Sequence, residues 1–110
     1  MKRGDIVLAV ARGDYGKPRP AVIVQSDLFN PTHASLLVCL VTTDLISAPL
    51  FRLPVAATPA SGLREPSQIM VDKLLALPRE RIRERIGVAD DETMLSLNRS
   101  LALMLGLAGV

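Results

Sequence analysis

The chain has 110 residues, of which 49% are hydrophobic and 22% are charged, and its formal net charge is +2. This length predicts one domain over residues 1–110, and the apolar share excludes a disordered chain. The charged start, residues 1–5, argues against a secretory leader, and no apolar run is long enough to cross a bilayer. We therefore expect a cytoplasmic protein, whose mild basicity is compatible with a nucleic-acid partner.

Short apolar runs separated by turn residues predict five to six short strands, at residues 4–10, 20–25, 35–42, 50–55, 67–75 and 82–88. Only the last of these alternates apolar and polar residues, and Glu84 interrupts its apolar face. The segment 35–42 is apolar on both faces, which is typical of a central strand. Pro54 indicates an edge strand, because proline cannot donate to a ladder. Pro78 can open a single helical turn.

A C-terminal helix follows the strands. Asp90 or Asp91 can cap its start, and Gly106 is placed to end it. Its apolar stripe at helical spacing consists of Met94, Leu97, Leu101, Met104 and Leu105. The opposite side also carries apolar residues, which predicts burial against a partner subunit. The element order predicts an α+β, mainly β fold, with strands curled into a small barrel and the helix packed against it.

The single cysteine and the single histidine are poor candidates for a metal or disulfide site. Cys39 has no partner for an internal disulfide, and Cys39 with His33 supplies too few ligands for zinc. We expect Cys39 to be a buried strand residue rather than a nucleophile. The arginines of residues 79–85 alternate with glutamates, which favours a solvated face with local ion pairs over a phosphate-binding stripe.

Three segments in chain order resemble the MazF/PemK/Kid family of toxins. They are residues 3–7 (RGDIV), 16–24 (GKPRPAVIV) and 39–43 (CLVTT). The pair Asp72–Lys73 stands where that family often has Asp–Gln, and residues 86–106 resemble its final helix. Together these matches cover nearly the whole chain.

The resemblance implies an SH3-like, CcdB-like barrel and a homodimer that serves as the toxin of a type II toxin–antitoxin system. It implies a sequence-specific endoribonuclease that cuts single-stranded RNA, most simply mRNA, through the 2′-hydroxyl and so inhibits translation and growth. It also implies that this reaction needs no metal or other cofactor. A cognate antitoxin would neutralise the toxin by filling its RNA groove.

Arg19 is the first candidate catalytic residue. Pro18 and Pro20 restrict its backbone on both sides. A guanidinium offers paired donors that fit phosphate oxygens, and its high pKa makes it a poor proton donor in water. Stabilisation of the transition state is therefore the role that its chemistry favours, while the resemblance implies general acid action.

Thr42 is the second candidate catalytic residue. It ends an apolar strand, where a hydroxyl can face a cleft and both donate to a phosphate oxygen and accept. Thr43 is the alternative if the register differs by one residue, because one step reverses the face.

The candidate substrate-binding residues are Tyr15, Lys17, Thr43, Asp72 and Lys73. Tyr15 could stack on a base or be an ordinary loop residue, and Lys17 could contact a phosphate or be solvated. Asp72 could position Arg19 or pair with a surface cation. Met70 stands where some relatives of this family carry an arginine, and Lys73 could supply the missing charge.

Two other functions remain open at this point. The first is a gyrase poison of the CcdB type. The chain end, residues 105–110, lacks the aromatic terminus that is typical of such poisons. The second is a non-catalytic barrel that binds RNA or protein, since a fold alone does not fix function.

Overall fold

The computed structural model of the chain describes residues 1–13 and 16–109, and these form six strands, a short 3-10 turn and one α-helix. The strands are β1 (Asp5–Ala9), β2 (Arg19–Ile23), β3 (Ser35–Thr42), β4 (Arg52–Val55), β5 (Ser67–Pro78) and β6 (Ile82–Val88). The turn spans Arg79–Arg81, directly after Pro78, and the helix α1 spans Asp91–Met104. The predicted strands and the terminal helix are all present, with small differences at their ends.

The strands form one antiparallel sheet in the order β4-β5-β3-β2-β1-β6. The apolar strand β3 is central and the proline-containing β4 is an edge strand, so both predictions are confirmed. The sheet is open, with β4 and β6 as its edges, and the predicted barrel is therefore not confirmed. The physical reason lies in the loop between β4 and β5, because its Ala60 carbonyl accepts the N–H of Val88 in β6 at 2.9 Å. This loop, rather than β4, meets the last strand.

Two buried clusters lie on opposite faces of the sheet, as the two-residue period of a strand requires. The helix-side core lies beneath α1 and contains Ile6, Val22, Val24, Cys39, Val41, Leu53, Val55, Leu63, Ile69, Val71, Ala89 and Leu97. The second core contains Val7, Ala9, Ala21, Ile23, Leu36, Val38, Leu77 and Ile82. Neighbours in sequence such as Val38 and Cys39 belong to different cores, so cluster membership identifies the face on which each strand residue lies.

The helix begins and ends as its sequence indicates. The Asp90 side chain accepts the N–H of Thr93 at 2.8 Å, and Gly106 adopts a positive φ of 75° directly after the helix. The apolar stripe is shorter than predicted, because Met104 and Leu105 are exposed. The helix packs on β4 and β5. Within the described residues, no helix combines the length and the apolar character needed to cross a membrane.

Candidate active site

Arg19 and Thr42 come together at one end of the sheet. Arg19 is the first residue of β2 and Thr42 is the last residue of β3. The two strands are antiparallel neighbours, and Ala21 of β2 pairs with Leu40 of β3. Continuing this register by two residues on each strand places Arg19 opposite Thr42.

The two candidate catalytic residues also share a face of the sheet. Ala21 and Ile23 belong to the second core, so alternation places Arg19 on that face. Thr42 follows Val41, which belongs to the helix-side core, and therefore also lies on the face of the second core. The register thus selects Thr42 over Thr43 as the threonine on the face of Arg19.

The hydroxyl of Thr42 is oriented by a local hydrogen bond. Its Oγ1 accepts the backbone N–H of Asp44 at 3.0 Å, and the side chain is half-buried. A hydroxyl that accepts one bond still has its proton to donate. This arrangement leaves the Thr42 O–H available to a phosphate oxygen that arrives on the exposed side.

Two residues that the sequence did not single out extend this arrangement across the sheet. Gln68 on β5 is the cross-strand partner of Thr42, and Arg52 on β4 bonds Gln68 through Nη1 to Oε1 at 3.3 Å. The alternation of Gln68 with buried Ile69 signals an outward side chain, but the pairing of β5 with β3 cannot be read from local sequence. We call Arg19, Thr42, Gln68 and Arg52 the polar strip; they come from four adjacent strands.

A cavity of about 360 Å³ opens on the other face, next to the polar strip. Thr43 and Pro20 line it beside the apolar side chains of Leu8 and Ile86. Glu84 of β6 also lines this cavity. The pairing of β6 with β1 shifts along this segment, so the strand does not alternate regularly.

The remaining substrate-binding candidates lie outside the polar strip. Asp72 and Lys73 are exposed, and they lie where the pairing of β3 with β5 shifts between the partners Leu74 and Ile69. Lys17 is exposed in the segment before β2, and Tyr15 lies outside the described residues. Their roles in substrate binding stay predictions.

Three arginines of the run 79–85 have partners other than its glutamates. Two of them donate to backbone carbonyls, and the third pairs with an aspartate on β1. Arg79 donates from Nε to the carbonyl of His33 at 2.7 Å and from Nη2 to the carbonyl of Asn30. Arg81 donates to the carbonyl of Val10 at 3.4 Å, and Arg85 pairs with Asp5. These contacts tie the end of β5 and the start of β6 to neighbouring loops and strands, so the run is structural in large part.

Cys39 lies in the helix-side core with no exposed surface. Burial raises the pKa of its thiol to about 12, because the charged thiolate is disfavoured away from water. The thiol is therefore protonated at neutral pH, in agreement with a buried strand residue. The described residues include no cluster of three or more His, Cys, Asp and Glu side chains placed to hold a metal ion.

Comparison with known proteins identifies the family. Residues 2–105 match the family of PemK-like, MazF-like toxins of type II toxin–antitoxin systems. The chain is also 44% identical to the probable endoribonuclease MazF of Mycolicibacterium smegmatis, over 99% of this chain and 100% of that protein. The chain belongs to the PemK/MazF toxin family.

Solved structures agree with this assignment at the level of the fold. The Mycobacterium tuberculosis toxin MazF-mt6 superposes with a TM-score of 0.80 at 21% identity, covering 92% of this chain and 95% of that one. A mycobacterial endoribonuclease in complex with its cognate antitoxin gives a TM-score of 0.79 at 24% identity, covering 97% and 96%.

Proposed function

We propose that this toxin is a metal-independent, sequence-specific endoribonuclease that cleaves single-stranded RNA and thereby inhibits translation and growth. The observation that carries the proposal is the placement of Arg19 opposite Thr42 on one face of the sheet. The name of the M. smegmatis relative, a probable endoribonuclease, supports the reaction class.

The proposed reaction uses the 2′-hydroxyl of the RNA as nucleophile. The 2′-hydroxyl gives its proton to water, a bond forms between the 2′ oxygen and phosphorus, and the bond from phosphorus to the 5′ oxygen breaks. The leaving 5′ oxygen takes up a proton from water, which yields a 2′,3′-cyclic phosphate and a 5′-hydroxyl. Negative charge grows on the phosphoryl oxygens in the transition state, and donors fixed in advance lower the barrier. Arg19 supplies the cationic fork for these oxygens and Thr42 supplies a hydroxyl donor.

The neighbouring candidates would hold the RNA on either side of the cut. In this proposal, Tyr15 stacks on a base and Lys17 neutralises a phosphate. Thr43 lines the cavity beside the strip, where a base edge could meet its hydroxyl. Asp72 and Lys73 contact the RNA farther along β5.

We propose a cognate antitoxin and a second copy of the toxin as the protein partners. The mycobacterial endoribonuclease of similar fold is in complex with its cognate antitoxin, which supports an antitoxin as partner. In this proposal the antitoxin covers the polar strip and so blocks RNA. The exposed apolar side chains of Leu95 and Met104 on α1, and of Leu105 directly after it, support a homodimer. The proposed location of this dimer is the cytoplasm. Sedimentation at micromolar concentration should give twice the 11.8 kDa mass of one chain, and a monomer would contradict the dimer.

Cleavage of a long single-stranded RNA in excess EDTA tests the proposed reaction. We expect wild-type protein to cut at a few sites and to leave 2′,3′-cyclic phosphate ends, whereas Arg19→Ala should lose at least about a hundredfold in rate. A wild-type protein that arrests growth without cutting RNA would overturn the proposal and favour a target such as gyrase. Equal cleavage by Arg19→Ala would remove Arg19 from the mechanism.

A further inference from the structure

Arg52 lies on the same face of the sheet as Arg19 and Thr42. On the edge strand β4, Leu53 and Val55 belong to the helix-side core, so alternation places Arg52 on the face of the second core. Its cross-strand partner is Met70, which lies two residues from Gln68 on β5. The guanidinium therefore belongs to the polar strip by register as well as by its contact with Gln68.

The hydrogen bonds of Arg52 use one side of the guanidinium. Nη1 donates to the carbonyl of Asp44 at 3.1 Å and to Oε1 of Gln68 at 3.3 Å. These bonds link the group to β5 and to the segment that follows Thr42. On the opposite edge, Nε is buried and has no hydrogen-bond partner among the described residues.

The unmatched edge of Arg52 has the shape of an anion site. A buried donor without an acceptor destabilises the protein, and the edge made by Nε and Nη2 is a fork that two phosphate oxygens can satisfy together. The side chain as a whole is only half-buried. A ligand that brings a phosphate would satisfy a donor that the folded chain leaves unsatisfied.

We propose that Arg52 binds a second phosphate of the RNA, next to the scissile one at Arg19. Neighbouring strands lie about 4.8 Å apart, and three such steps separate β2 from β4. The backbones of Arg19 and Arg52 are therefore about 14 Å apart across the sheet. This separation favours contacts of the two arginines with two different phosphates over contacts with the same phosphate. This inference rests on the proposed ribonuclease activity.

Arg52 also anchors the segment after β3, and the test must separate that structural role from RNA binding. Gln68 holds the same segment independently, through bonds to both the N–H and the carbonyl of Ile46 at 3.1 and 2.8 Å. Loss of Arg52 therefore leaves part of the anchor in place. A phosphate contact affects the salt dependence of RNA binding, whereas a purely structural contact does not.

The experiment measures binding of an RNA oligonucleotide with one 2′-deoxy nucleotide at the mapped cut site, across a range of salt concentrations. For Arg52→Gln we expect roughly tenfold weaker binding at low salt. The salt slope, which is the slope of the logarithm of the binding constant against the logarithm of the salt concentration, should be smaller in magnitude by about 0.7, the contribution of one single-strand phosphate. Arg52→Lys should keep the slope, because the ammonium still neutralises the phosphate. Arg99→Gln, an exposed arginine on α1, serves as the matched charge control and should change neither quantity.

A compensating substitution makes the test independent of folding defects. Met70 is the cross-strand partner of Arg52, so Arg52→Gln combined with Met70→Arg should recover the wild-type slope. If wild type cuts RNA but Arg52→Gln binds with an unchanged slope, the inference is overturned alone. If wild type neither cuts nor binds RNA, the proposed function falls with it.

Discussion

Asp5 and Arg85 form an ion pair between β1 and β6, with 3.0 Å between Oδ1 and Nε. The other carboxylate oxygen of Asp5 accepts the backbone N–H of Lys2 at 2.8 Å. Asp5 is only 6% exposed, so these partners, rather than water, satisfy its carboxylate oxygens. One buried carboxylate therefore joins the N-terminal turn to the edge strand β6.

Replacing Asp5 by Ala should lower the free energy of unfolding by about 2 kcal/mol, because the N–H of Lys2 then loses its charged acceptor. Urea denaturation at pH 7 measures this change. Arg85→Ala should cost less than about 1 kcal/mol, since the Arg85 side chain is 56% exposed and water replaces the lost contact. Equal losses from the two variants would contradict this account of the pair.

Gly87 lies against the loop between β4 and β5, where there is no room for a side chain. A Cβ at this position would lie 2.1 Å from the carbonyl oxygen of Ser61, which is backbone and cannot move aside alone. We expect Gly87→Ala to lower stability by about 3 kcal/mol, measured by urea denaturation. Gly13→Ala is the control, because no atom lies within 4 Å of its Cβ, and only its positive φ of 92° opposes alanine, at about 1 kcal/mol. A smaller loss at Gly87 than at Gly13 would refute the packing argument.

The fold could be predicted largely from local sequence, and the active site only in part. The apolar run of β3, Pro54 in β4 and the cap at Asp90 each specify an element through local chemistry. Arg19 and Thr42 could be proposed as catalytic residues because their segments resemble those of a known family. Gln68 and Arg52 could not, because their place in the site depends on which strands pair and in what register, and these are long-range properties.

The predicted barrel is not confirmed, and the apolar stripe of α1 is shorter than predicted. A barrel needs its edge strands to meet, yet a loop residue, Ala60, bonds β6 instead. The apolar stripe continues to Leu105 in the sequence, but Met104 and Leu105 are exposed. Periodicity predicts that an element has an apolar face, but it does not predict what covers that face.

Two exposed aspartates should make the fold sensitive to acid. The backbone N–H of Arg3 lowers the pKa of Asp27 below its ordinary value of 3.8, with a second contribution from Asn30. The backbone N–H of Thr93 lowers the pKa of Asp90 in the same way. A carboxylate with a depressed folded pKa stabilises the protein above its unfolded pKa, and this contribution is lost as the pH falls through the folded value. Stability should therefore decline below about pH 4.

Asparagine substitution checks the origin of this decline. Asn is itself a good helix N-cap, so Asp90→Asn removes the titrating group while keeping a cap. The test compares the double variant Asp27→Asn/Asp90→Asn with wild type, and expresses each protein's midpoint of thermal unfolding relative to its own midpoint at pH 7. Between pH 4 and pH 2 the midpoint of the double variant should fall less steeply than that of wild type. The same slope in both proteins would assign the acid sensitivity to other groups.

The threonine pair at the end of β3 gives a matched test of the active-site register. Thr42→Val removes the hydroxyl on the face of Arg19 and should lower the cleavage rate by about tenfold to a hundredfold, while Thr42→Ser should retain most of it. Thr43→Val should lower the rate less, because Thr43 lines the cavity on the other face. Initial rates on one short RNA substrate provide the comparison, and a larger effect at Thr43 would show that the register argument selects the wrong residue.

The most direct test of the ribonuclease proposal is the removal of one oxygen atom from the substrate. Wild-type protein in excess EDTA is given two oligonucleotides that contain the mapped cut site and differ only by a 2′-deoxy nucleotide on the 5′ side of the scissile phosphate. We predict that the all-ribose substrate is cut to a 2′,3′-cyclic phosphate, while the 2′-deoxy substrate binds with similar affinity and stays intact. Cleavage of the 2′-deoxy substrate at the same position and a comparable rate would contradict attack by the 2′-hydroxyl.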